Sequence, residues 1–153
     1  MYTPVNPIVD PAVRQMCRLP YHGHPKGCPC YNHKHGCPPE ASLLRTDNLD
    51  WWAVFTQFRL DDHVARMRVR HPNWSIRQLQ CCLYWQAGAR RQLIVEVNHF
   101  RKQHPLGSVY LCPEAWGVNV TDTMAAAGIH LEWPPINIAY QVALVGLLKE
   151  PSI

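Results

Sequence analysis

Residues 138–148 read IAYQVALVGLL, an almost continuously apolar run. Eleven residues of this kind suit a strand, and a strand without a polar face has to be covered on both sides, so it is expected at the centre of a sheet. Residues 136–148 are the most apolar stretch of the chain, but Asn137 and Gln141 interrupt it and it is too short for a membrane span.

Working outward from this strand, residues 51–60 (WWAVFTQFRL) are aromatic and β-branched and read as a second strand, with Trp52, Val54, Thr56, Phe58 and Leu60 on one face. Asp61 is expected to cap a helix over about 62–70, stopped by Pro72. Ser75 is expected to cap a longer helix in which Ile76, Leu79, Leu83, Leu93, Val97 and Phe100 recur at helical spacing. Gly88 would kink that helix, and Pro105 and Gly107 end it. Cys81 and Cys82 fall inside it and read as small packing groups. Residues 109–111 suggest a short strand, VNVTDTMAAAG at 118–128 a helix with Gly128 just past its end, and 130–133 a further strand. The pattern predicts an α+β (or α/β) protein, with one small sheet, helices packed against it and a cysteine-rich N-terminal loop. No internal repeat or low-complexity tract is visible.

With 153 residues, 47% of them apolar, the chain has the size and core of a single domain over 1–153. It divides into a Cys/His/Pro-rich region over 1–42 and a more regular α/β core over 43–153. A formal charge of +4, concentrated in Arg66, Arg68, Arg70, Arg77, Arg90 and Arg91, is mild. It permits an acidic partner without demanding one. These arginines, in RMRVR and ARRQ, read most simply as solvated helix faces, so nucleic acid is the less favoured partner. The N-terminus MYTPVNPIVD lacks the basic start, apolar run and cleavage site of a secretion signal, which places the protein in the cytoplasm, away from membranes.

Cysteines stay reduced there, so a dense group of them points to metal rather than to disulfides. Residues 17–39, CRLPYHGHPKGCPCYNHKHGCPP, hold four of the seven cysteines and four of the nine histidines. Five prolines and three glycines deny this segment regular backbone hydrogen bonding, so something else has to order it. Thiolates and imidazoles are the ligands of zinc, and thiolates those of iron–sulfur clusters. The spacing C-x10-C-x-C-x6-C lacks the two-residue gap of a zinc knuckle. Cys28 and Cys30 alternate and tend to point apart in an extended segment, so Cys17, Cys28 and Cys37, on separate pieces of loop, form the more natural triplet. Cys30, Cys112, His22, His24, His33 and His35 are candidates for a fourth ligand. Without one, a metal position stays open to substrate.

VRQMC at 13–17, CPCY at 28–31 and CPP at 37–39 resemble the start of a widespread group of prokaryotic predicted metal-binding proteins of unknown function. In that group V-x3-C precedes C-P-x-Y-G-x4-C-P-P. Cys28, Pro29, Tyr31, Cys37, Pro38 and Pro39 fall on the pattern in register, with Asn32 in place of the glycine. The block at 114–133, EAWGVNVTDTMAAAGIHLEW, is similar to the family's E-A-x-G-I-D-V stretch with its helix and strand. Family members carry a further cysteine-rich segment before this block, where this chain has only Cys112. The resemblance implies a metal centre on Cys17, Cys28 and Cys37, with Cys30 where the family needs no cysteine. It favours an iron–sulfur cluster (4Fe-4S), and the neighbouring histidines make zinc the alternative cofactor.

Two functions are compatible with such a centre. A closed site predicts an electron carrier with a redox partner and no sizeable pocket. An open iron predicts a small-molecule substrate and a cavity lined by Glu114, as acid or base, or by a loop histidine. A zinc-stabilised module contacting nucleic acid or protein is the alternative. Trp51 or Trp133 would shield the metal if either lies beside the loop.

Overall fold

The computed structural model describes residues 1–20 and 24–149. In chain order its regular elements are β1 (Tyr2–Val5), α1 (Pro11–Gln15), β2 (Leu49–Arg59), α2 (Leu60–Arg70), α3 (Ile76–Leu79), α4 (Gln86–Gln103), β3 (Ser108–Tyr110), α5 (Val120–Ala126) and β4 (Ile138–Leu148). The strands form one sheet in the order β1-β2-β4-β3, with every pairing antiparallel. The fold is therefore α+β rather than α/β. Among the described residues no helix is long and apolar enough to cross a membrane.

The apolar run at 138–148 is central, as its composition demands. β4 pairs with β2 over its whole length, from Leu49↔Leu148 to Arg59↔Ile138, and with β3 on its other side at Gly146, Val145 and Leu144. Alternation along the two long strands sends side chains to two covered faces. Trp51, Ala53, Phe55 and Leu144 meet Val118, Val120 and Met124 from the α5 side, together with Val5 and Leu44. Val54, Ala143 and Val145 meet Leu93, Val97 and Phe100 of α4. Each fully buried Leu, Phe or Met among them contributes about 1.5–3 kcal/mol by leaving water.

Several expectations are corrected. Tyr2–Val5 is an edge strand and Pro11–Gln15 a helix, so the first part of 1–42 is knitted into the sheet. Trp51 lies in the core, on the opposite face from the Trp52, Val54 and Thr56 set, and its indole donates to the Thr46 carbonyl (3.2 Å). Asp61 does not cap α2. The helix starts two residues earlier, at Leu60, where the Leu60 and Asp61 amides both donate to the Asn137 carbonyl (2.9 and 3.2 Å), and Asp61 instead binds the Arg59 guanidinium.

Ser75 does form a capping box with Gln78, but the helix it starts ends at Leu79. Trp85 inserts into the core, stacked on Phe58 at 4.9 Å, and its indole takes the Gln80 carbonyl (3.1 Å), which diverts the chain before α4 begins. The interruption thus falls at 80–85 rather than at Gly88. Leu83 becomes 82% exposed, and Cys82 faces solvent instead of packing.

Residues 130–133 are not a strand. The Glu132 carboxylate accepts the amides of Ile136, Asn137 and Ile138 (3.1, 2.8 and 3.4 Å) and the Asn137 side chain (3.2 Å). Together with Pro134 and Pro135, which have no amide hydrogen, this makes a side-chain-organised turn. It leaves Trp133 exposed beside β4.

Candidate metal centre

The cysteine loop begins where α1 ends. Asp10 caps that helix by accepting the Ala12 amide (2.9 Å), and a 3-10 turn over Met16–Arg18 carries Cys17 off its C-terminal end. Arg14 of α1 reaches across to the far side of the loop, where its guanidinium donates to the carbonyls of Ala41 and Pro39. One side chain thus ties the segment carrying Cys17 to the segment just after Cys37.

Inside the loop the backbone is folded by turns. The Cys28 amide donates to the Cys17 carbonyl (2.7 Å), which puts the two cysteines side by side although ten residues separate them. Gly27 makes this approach feasible. Its φ is +88°, and a Cβ there would lie 2.7 Å from the Cys17 carbonyl oxygen. Further on, Tyr31 donates to Cys28, His33 and Lys34 to Cys30, Cys37 to Lys34, and Asn32 to Pro38 (2.8 Å), which closes the turn that carries Cys37. Asn32 has φ +59°, in the left-handed region where asparagine is the side chain best tolerated after glycine. Its presence at the motif's glycine position therefore has a conformational reason.

The thiols lie within range of one another's charge. Burial pushes the Cys17 thiol above its ordinary pKa, and the charges of Cys28, Cys37 and Glu114 push it further, against Arg14. Cys37 is raised by burial and then by Cys30 and Cys28, while Lys34 and Arg90 pull it down. Cys17 and Cys28 line a cavity of about 740 Å³ together with His24, Tyr31, Asn32 and His33. Among the described residues no three Cys, His, Asp or Glu side chains converge closely enough to hold a single metal ion. Cys17 and Cys28 border the cavity, whereas Cys30 and Cys37 lie outside its lining.

The other candidates separate. Cys30 is close enough to Cys37 for its charge to outweigh that of Cys28 there. His24 and His33 border the cavity, whereas His35 points outward and pairs with Glu40 (2.5 Å). His22 lies outside the described residues. Cys112 does not line this cavity. Its thiol donates to Glu114 (3.7 Å), and local burial together with the Glu114 charge pushes its pKa up to about 11. Glu114 faces both groups, since Cys17 and Cys112 each feel its charge. Sequence reasoning missed Arg14, and read Gly27 only as one of three turn glycines, although both organise the loop. Only their position beside the cysteines could have signalled them.

None of the family models, curated proteins or solved structures compared with the chain matches it. The functional reading accordingly rests on the residues of the loop.

Proposed function

We propose that the 17–37 loop binds an iron–sulfur cluster through Cys17, Cys28 and Cys37, making this a metal-binding protein with one iron open to a small molecule. The observation that carries the reading is the pairing of Cys17 and Cys28 on the wall of the 740 Å³ cavity, with Cys37 in charge range of both. Clustered thiolates repel one another, and a cationic centre relieves that repulsion while releasing their protons. A lone zinc ion, at about 2.3 Å from each sulfur, needs the thiolates almost in contact, whereas a cluster takes them on separate irons and suits donors that do not converge on one point. Bound there, the cluster supplies a Lewis-acidic iron.

The protein's own groups then set the ligand's surroundings. His24 and His33 line the cavity as hydrogen-bonding groups, and Lys26 and Arg18 add positive charge. The cavity favours substrate chemistry over a closed electron carrier, which needs no such space.

Anaerobic reconstitution, an ultraviolet–visible spectrum and metal analysis test this reading. Brown protein containing iron and sulfide is expected, and colourless protein with stoichiometric zinc overturns the cluster. Serine in place of Cys17, Cys28 or Cys37 is expected to abolish or deplete it. Cys30→Ser is expected to retain it, and loss of the cluster in that variant would make the site closed.

A further inference from the structure

We propose that a second cavity, of about 270 Å³ between α4, the 111–114 segment and β4, binds a small organic monocarboxylate. The cavity exists because β3 is short. It covers β4 only at Leu144–Gly146, so the edge at 138–142 pairs with β2 alone, and the space beside it is walled by Trp133, Tyr140 and Val142.

Arg90 of α4 lines this space. Among the described residues this exposed side chain forms no ion pair, cation–π contact or hydrogen bond, so no protein group competes for its planar fork of donors. That geometry matches a carboxylate in bidentate fashion. The rings of Trp133 and Tyr140, with Leu131 and Val142, offer an apolar wall for the rest of the molecule. Glu114, also in the lining, repels each negative charge a ligand carries, so a monocarboxylate held by Arg90 is disfavoured less than a dianionic phosphate. The volume is at the small end for ligand sites, which limits the occupant to about a dozen heavy atoms.

The site also neighbours the thiol loop. Glu114 and Trp133 border a further cavity of about 360 Å³ that reaches Val13 and Met16, next to Cys17. Arg90 is felt by both Cys112 and Cys37. As a substrate seat for the loop, the cavity rests on the metal centre proposed above. As a carboxylate site it stands without it.

The test is a titration of the full, metal-free chain with benzoate and with its neutral isostere benzamide, followed through the amide and indole spectrum. The reporter is the Trp133 indole N–H, which donates to the Thr121 hydroxyl (2.9 Å). Benzoate is expected to shift this signal saturably, with benzamide binding about 10- to 100-fold more weakly. Arg90→Gln is expected to abolish that preference, and Arg91→Gln, one residue along and outside the lining, to preserve it. Equal binding of benzoate and benzamide by the native chain, or full preference in Arg90→Gln, overturns the site. The titration is repeated on iron-loaded protein with its iron content measured. Altered benzoate affinity supports the link to the loop, and unchanged affinity overturns that link alone. Failure to load iron counts against the metal centre and leaves the carboxylate result standing.

Discussion

Replacing Gly27 with alanine is expected to open the cysteine loop while leaving the sheet intact, and Gly36→Ala is the control that isolates the reason. Both glycines have left-handed φ, +88° and +80°. Alanine in that region costs about 1–2 kcal/mol, offset by roughly 0.5 kcal/mol from a stiffer unfolded chain. Both variants carry this cost. At Gly36 a Cβ would meet nothing within 4 Å, so the conformational cost is the whole effect. At Gly27 the Cβ would fall 2.7 Å from the Cys17 carbonyl oxygen and 2.9 Å from the Arg18 carbonyl, and these are backbone atoms that cannot swing aside. The two cysteine segments must separate, which breaks the 2.7 Å hydrogen bond from the Cys28 amide and costs about 1 kcal/mol more.

Gly27→Ala should therefore weaken the loop by roughly 2 kcal/mol against roughly 1 kcal/mol for Gly36→Ala. The assay is hydrogen exchange at the Cys28 amide in metal-free protein. That amide is expected to exchange about fivefold faster in Gly27→Ala than in Gly36→Ala. Amides of β2 and β4 should exchange at native rates in both variants. Equal exchange at Cys28 would refute the argument, because it would mean that the close approach of the two cysteine segments contributes nothing.

Arg14→Ala removes the bridge from α1 to the carbonyls of Ala41 and Pro39, and is expected to lower stability by about 1–2 kcal/mol, read as a shift of the urea midpoint. His63 is buried against Phe58, and burial, then Arg66, pull its pKa below the ordinary 6.5. The unfolded chain thus takes up this proton first, so stability falls as pH drops from about 6.5 through the lowered folded value. Thermal unfolding at pH 7.5 and pH 5 should show a larger loss in the native chain than in His63→Gln, and equal losses would exclude His63 as the source.

The sequence by itself determined the centre of the sheet and much of its cover. The apolar run at 138–148 has no polar face to offer solvent, so it had to be central. Residues 51–60, aromatic and β-branched, were legible as a strand, and β2 covers Leu49–Arg59. Leu93, Val97 and Phe100 recur at helical spacing, and they are the residues that α4 buries. The loop cysteines were legible as a group because four of the seven fall between residues 17 and 37, among prolines and glycines that exclude a regular element.

Tertiary structure alone decided the rest, because contacts between distant residues leave no periodic mark. Trp85 cut the expected long helix by taking its place in the core beside Phe58, and Glu132, placed in an expected strand at 130–133, instead organises a turn by accepting the amides of residues 136–138. The pairing of β1 with β2 turned an apparent loop region into an edge strand. Arg90, which reads as one solvated arginine among several on its helix, lines a cavity because β3 stops short of β4's far end. The closeness of Cys17 to Cys28 depends on one glycine and one backbone hydrogen bond, a relation that the spacing of the cysteines does not encode.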